Sequence, residues 1–230
     1  MYRVEDKYCC SEAELFVLQN RIGSVLKPDA NENNVGGYSI ISLYFDDLHD
    51  SCYQDTLDGH DIRDKYRIRI YNNSLDKIRL EVKQKRDSRI RKYAKDIDRD
   101  QMYRLMNGQC IVDDVMSADD PVSLFNIAIQ TRGLRPKVIV AYERKAYVFE
   151  AGNTRITFDR NLRACDRTDW FGREDVVYDP VREQSAVLEV KYDEFIPDFL
   201  LQLLELGNMQ QSAFSKYQLC RELYEYNGII

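Results

Sequence analysis

The chain has little of what most catalytic centres use. It carries two histidines, at 49 and 60, one tryptophan, five prolines and ten glycines. Its six cysteines (9, 10, 52, 110, 165 and 220) include no CxxC pair and have no histidine partners at zinc-binding spacing. A zinc centre is therefore not expected, and the thiols are read as reduced. No run of about 18 apolar residues occurs, which excludes a membrane-spanning helix. The opening Met1-Tyr2-Arg3-Val4-Glu5-Asp6-Lys7 is charged throughout and has no signal-peptide character, so a cytoplasmic protein is expected. Low proline and glycine, with 44% apolar residues, 16 Tyr and 9 Phe, also exclude disorder and collagen-like repeats. No repeat or linker interrupts the 230 residues, so one domain over 1–230 is expected.

The net charge of −6 hides an asymmetry. Between Arg63 and Lys95, 13 Lys and Arg stand against 4 Asp and Glu, a local +9, which leaves −15 on the other 197 residues. An acidic chain with one basic block is poorly suited to coating nucleic acid or anionic membrane. It suits a protein that gathers positive charge for a compact polyanion.

Alternation and turn residues predict strands over 2–8, 38–45, 63–71, 77–86, 89–97, 137–150, 154–163 and 186–193. Asn72-Asn73-Ser74, Asp87-Ser88 and Gly152-Asn153 join neighbouring strands as hairpins. Ser11 with Glu14 forms a capping-box pattern that opens a helix running to about Leu26. Further helices are expected over 49–57, 98–106, 121–132, 197–206 and 216–226. This order of elements predicts an α+β fold: an eight-stranded antiparallel β-barrel with helices packed around it.

Residues two apart on a strand share a face. By that rule Arg3, Glu5 and Lys7 lie together. So do Lys65, Arg67 and Arg69; Arg79, Glu81, Lys83 and Lys85; Arg89 and Arg91; Tyr142 and Arg144; Arg155, Thr157 and Asp159; and Glu189 and Lys191. One such strand is an ordinary amphipathic edge. Seven in the same phase are not, because adjacent like charges on a solvated sheet repel and gain nothing. A closed sheet would turn these faces into a lumen, stable only if a polyanion and the interleaved Glu5, Glu81, Asp159 and Glu189 neutralise it. Those carboxylates pair with lysines or hold a divalent cation. Base-stacking aromatics are not interleaved with the charges, so nucleic acid is not expected as a partner.

Eight segments in order resemble the triphosphate tunnel metalloenzymes: Arg3-x-Glu5-x-Lys7, Tyr44-Phe45-Asp46, Lys65-Tyr66-Arg67-Ile68-Arg69, Leu80-Glu81-Val82-Lys83, Tyr142-Glu143-Arg144, Arg155-Ile156-Thr157-Phe158-Asp159, Val187-Leu188-Glu189-Val190-Lys191 and Phe214-Ser215-Lys216-Tyr217. Within that superfamily the chain resembles the catalytic domain of the vacuolar transporter chaperone (VTC), a polyphosphate polymerase. The resemblance implies a triphosphate tunnel that moves the terminal phosphate of ATP onto a growing polyphosphate chain with Mn2+ or Mg2+. ATP, triphosphate and polyphosphate are the implied partners. It implies catalytic roles for Lys7, Arg67, Arg69, Lys83 and Lys216. Arg3, Lys65, Lys85, Arg91, Arg144, Arg155 and Lys191 would bind phosphate, and Glu189, with Glu5 second, would hold the metal. The hydrolytic branch opens Glu-x-Glu-x-Lys, where this chain has Arg3, and that favours the polymerase-like branch. A metal-dependent tripolyphosphatase or nucleoside triphosphatase, and a non-catalytic polyphosphate binder, are the alternatives.

Overall fold

The computed structural model describes residues 4–30, 32, 36–86, 89–112, 117, 119–181, 186–205 and 211–227. Among these residues the fold is α+β, an antiparallel sheet with a path of eight strands and two further two-residue strands beside it, accompanied by six helices. In chain order these are β1 (Val4–Cys10), α1 (Glu12–Gly23), the two-residue β2 (Lys27–Pro28), β3 (Tyr38–Asp46), α2 (Ser51–Leu57), β4 (Arg63–Tyr71), β5 (Ser74–Arg86) and β6 (Arg89–Ile97). There follow α3 (Arg99–Met106), α4 (Pro121–Arg132), β7 (Arg135–Phe149), β8 (Thr154–Cys165), the two-residue β9 (Asp179–Pro180), β10 (Ala186–Tyr192), α5 (Asp198–Leu204) and α6 (Lys216–Asn227). The strand order is β1-β10-β8-β7-β3-β4-β5-β6, with β2 beside β7 and β9 beside β8. The chain divides into two compact units, one of residues 1–39, 142–162 and 180–214, the other of 40–141, 163–179 and 215–230.

In the first unit, the apolar face of β10 and β8 (Leu188, Val190, Ile156, Phe158) packs against Leu15, Leu18 and Ile22 of α1 and Leu200 and Leu204 of α5. The helix forms where the capping box places it: the Glu14 backbone donates to Ser11 Oγ, and the Ser11 backbone donates to the Glu14 carboxylate. It ends at Gly23, three residues before the expected Leu26. Gly23 and Ser24 are weak helix formers, and a Cβ at 23 would press on the Tyr147 hydroxyl. Leu26 is buried all the same.

In the second unit, β4, β5 and β6 form an antiparallel meander. Asn72 and Asn73 both take positive φ (52° and 54°), the type I′ geometry that matches strand twist, and Tyr71 pairs with Ser74 across the turn. The apolar phase of the meander (Tyr66, Ile68, Leu80, Val82) is buried. Phe125 of α4 meets Phe45 and Tyr66 edge-on at 5.2 and 5.3 Å. Helix α3 carries a second capping box, Asp98 with Gln101.

Candidate functional site

Each unit has a charged face on the side of its strands opposite the apolar packing. In the second unit the register makes that face explicit. Lys65 of β4 lies opposite Lys83 of β5, and Lys83 lies opposite Lys92 of β6. Three lysines thus stand in one row across three strands, an arrangement that like-charge repulsion disfavours unless an anion joins it. In the next row Arg67 faces Glu81, and beyond it Arg69 faces Arg79. Glu81 is 2% exposed and collects three cations. Arg67 donates through Nε at 2.6 Å and sits at 2.5 Å through Nη2; Lys92 Nζ lies at 2.5 Å and Arg69 Nη1 at 3.8 Å. Burial alone would raise the Glu81 carboxyl, but these cations hold it well below the usual carboxylate range. Dehydration and the neighbouring arginines pull Lys92 down to about 8, against the attraction of Glu81.

The outgoing half of β3 contributes to the same face. Tyr44 lies opposite Arg67, and its hydroxyl accepts from Arg67 Nη1 at 2.8 Å; Ser42 lies opposite Arg69 and accepts from its Nε at 3.3 Å. Tyr44 stacks on Tyr217 of α6 at 4.9 Å. The Tyr217 hydroxyl donates to buried Asp46 at 2.6 Å, and the same carboxylate accepts from the backbone of Cys52 and Tyr53 at the start of α2. This arrangement brings the beginning of α6 to the basic face: Lys65 Nζ donates to Ser215 Oγ at 2.9 Å, one residue before Lys216, which is half-buried.

The first unit has a different balance. Glu5 of β1 pairs with Lys191 of β10, Lys7 pairs with Glu189, and Glu189 pairs with Thr157 of β8. Glu189, 5% exposed, lies 3.0 Å from Lys191 Nζ, 3.5 Å from Arg144 Nη2 and 3.8 Å from Lys7 Nζ. Glu5 lies 3.2 Å from Lys7 and 3.5 Å from Lys191. Arg144 is clamped by Asp159 through two parallel 2.6 Å bonds. Burial opposes its charge, but Asp159 outweighs that and keeps the guanidinium firmly protonated. Gly37, with φ +93°, packs against the Arg144 carbonyl, where a Cβ would collide. Arg155 donates to Asp29 at 2.5 Å and to the Tyr38 hydroxyl at 3.1 Å.

The expected residues therefore separate as follows. Lys65, Arg67, Arg69 and Lys83 share one face of the second unit, with the start of α6 beside it. Glu5, Lys7, Arg144, Arg155, Glu189 and Lys191 are grouped in the first. Arg3 lies outside the described residues. Lys85 is in phase but at the end of the hairpin, where it meets exposed Asp61 at 2.9 Å. Arg91 requires a correction. It pairs with Gln84, on the opposite face from Lys83, and Lys92 takes the in-phase position. Arg86 lies opposite Arg89, and counting outward from that pair sets Lys92, not Arg91, opposite Lys83. Tyr38, Ser42, Tyr44 and Asp46 were also missed as site residues, although the same alternation along β3 marks them. Asp29, in a loop, gives no such signal.

Among the described residues, no group of three or more His, Cys, Asp or Glu side chains is arranged to hold a metal. Glu5 and Glu189 supply hard carboxylate oxygens but share them with Lys7 and Lys191. That donor set fits Mg2+ or Mn2+, which need only one or two protein carboxylates when phosphate oxygens and water complete the shell. No helix of the described residues is long and apolar enough to cross a membrane.

The model of the VTC domain family matches residues 2–224. No curated protein matches the sequence. Among solved structures, the PH1819 protein of Pyrococcus horikoshii is similar with a TM-score of 0.53 at 16% identity, covering 98% of this chain and 99% of that one. A candidate adenylyl cyclase from Hippeastrum, described as having a dominant triphosphatase activity, gives 0.52 at 14% identity, with 96% of both chains covered. A candidate adenylate cyclase of Bacillus halodurans gives 0.50 at 10% identity, covering 88% and 87%. These likenesses carry the fold.

Proposed function

This chain belongs to the VTC domain family, and from that premise we propose that it is a metal-dependent polyphosphate polymerase. It would transfer the terminal phosphate of ATP to a growing polyphosphate chain, as a single domain of the triphosphate-tunnel type. The observation that carries the reading is the row Lys65, Lys83, Lys92 above a Glu81 already shared by three cations. Positive charge crowded so closely calls for a compact polyanion, and no single exposed phosphate of ordinary charge density would need so much of it.

Phosphoryl transfer requires positioning and charge neutralisation more than a covalent nucleophile. In this reading Arg67, Arg69, Lys83, Lys7 and Lys216 hold the reacting phosphates. Lys65, Arg144, Arg155 and Lys191 grip the rest of the chain, and the observed ion pairs keep their side chains aimed before substrate arrives. Lys92 joins the second group in place of Arg91. A terminal oxygen of the polymer attacks the γ-phosphorus in line, a new P–O–P bond forms, and the bond to ADP breaks. The guanidinium forks spread the charge that develops on the non-bridging oxygens. Glu189, with Glu5 beside it, would hold the divalent cation, which supplies further neutralisation when bound. The protein is read as acting in the cytoplasm.

Hydrolysis is the competing reading, favoured by the triphosphatase activity described for the Hippeastrum neighbour. Incubation with ATP and Mn2+ separates the two. Long phosphate polymer on a gel supports the polymerase, and orthophosphate released from tripolyphosphate without polymer supports the hydrolase. Tripolyphosphate binding with neither product leaves a binder.

A further inference from the structure

Thr157 stands at the middle of the charged face of the first unit. It pairs directly with Glu189 across the strands, and Arg155 and Asp159 flank it two residues away on the same face. The side chain is 1% exposed, and its hydroxyl has no hydrogen-bond partner among the described residues. Its neighbours are all engaged: Asp159 by Arg144, Arg155 by Asp29, and Glu189 by Lys191.

A buried hydroxyl without a partner is a net cost, because it loses water and gains nothing. The strand does not need it. Valine has the same branched shape and a comparable preference for strands. An interior position that uses threonine where valine would pack at no polar cost points to a partner that the protein does not itself provide. The charges around the hydroxyl limit what that partner is. Arg144, Arg155 and Lys191 place cationic donors on this face, each already paired with a carboxylate, so the face is near neutral and a phosphate oxygen brought to it needs a further donor, which the O–H supplies.

We infer that Thr157 is a further phosphate-binding residue, its Oγ–H donating to a non-bridging oxygen of the bound phosphate chain. The inference rests on the phosphate-binding part of the proposed function. It also gives a use to the only fully buried neutral side chain in the middle of β8's charged phase, between Arg155 and Asp159.

The test is tripolyphosphate titration by calorimetry, in EDTA, on wild type, Thr157→Val and Thr157→Ser, with thermal melts of each protein free of ligand. The valine variant should bind about tenfold more weakly, the serine variant within about twofold of wild type, and the ligand-free valine melt should be unchanged or higher. Equal affinity of wild type and the valine variant overturns the inference while leaving phosphate binding intact. A drop in the ligand-free melt of the valine variant also overturns it, since the hydroxyl would then be structural. A loss confined to titrations with Mn2+ overturns the direct contact in favour of a metal-bound water. If wild type itself does not bind tripolyphosphate, the proposed function fails first and this inference with it.

Discussion

Glu81 and Glu189 are both buried carboxylates on the charged side of a central strand, yet they have different surroundings. Around Glu81 the second unit places Arg67, Arg69 and Lys92, with Lys65 and Lys83 in the adjacent row. Around Glu189 the first unit balances Lys7, Lys191 and Arg144 against Glu5 and Asp159. The first arrangement gathers three cations on one buried carboxylate, with two lysines in the adjacent row. The second is close to neutral and holds carboxylate oxygens within reach of a cation. The same alternating pattern thus builds two kinds of centre, and the carboxylates interleaved in it decide which one results.

The sharpest way to break this comparison is Glu81→Gln. Three cations, of which Arg69 is buried and Arg67 largely so, would lose their shared buried counter-charge, and the ligand-free protein should lose about 3 kcal/mol of stability by denaturant titration. Tripolyphosphate should restore much of that loss. A melt that tripolyphosphate leaves unmoved would mean the cluster is structural and not an anion site.

Glu189→Gln should act differently. The near-neutral centre becomes more positive, so tripolyphosphate should bind as well as or better than to wild type. Metal-dependent turnover should fall by about a hundredfold, roughly 2.7 kcal/mol in transition-state stabilisation. Parallel loss of binding and turnover would merge the two centres into one kind.

Asp47 provides a reference ion pair away from both clusters. Burial would raise its carboxyl, but bonds from the Ser51 backbone and from Arg132 bring it to about 2 from an ordinary 3.8. With the folded value depressed, its stabilisation is fully present above 3.8 and is lost as pH falls through 2. The expected size is about 2.5 kcal/mol. Asp47→Asn should flatten the acid limb of stability against pH by that amount, and it should leave tripolyphosphate binding at neutral pH alone.

The smallest effect is expected from Tyr217→Phe, which removes the 2.6 Å bond to Asp46 but keeps the stack on Tyr44. A loss of about 1.5 kcal/mol in the denaturant midpoint is expected. A larger loss in turnover than in stability would show that the bond also positions Ser215 and Lys216 for the basic face.

Much of this fold is written in local pattern. Strands β4 and β6 run over the residues expected, Arg63–Tyr71 and Arg89–Ile97, and α4 starts at Pro121 behind its Asp120 cap. The charged phase of β1, β4, β5, β8 and β10 is equally legible, since the side-chain period of two leaves no freedom once a strand is recognised. Arg91 shows where pattern ended: the side of β6 that faces Lys83 depends on the hairpin register, and alternation within β6 is the same for either choice.

What the sequence determined by itself is the inventory, namely which strands carry charge on one face, which carboxylates are interleaved, and the eight motifs in order that mark the family. Local chemistry suffices for that, because capping, turn geometry and alternation act over a few residues. Only the tertiary structure decided the partnerships. It set Lys92 opposite Lys83, closed Arg144 onto Asp159 and Arg155 onto Asp29, placed Tyr217 on Asp46, and left the Thr157 hydroxyl without a hydrogen-bond partner among the described residues. Those pairs lie up to 171 residues apart. They are chosen by packing across the sheet, where the cost of a buried charge is met or not by whatever chain segment arrives opposite it.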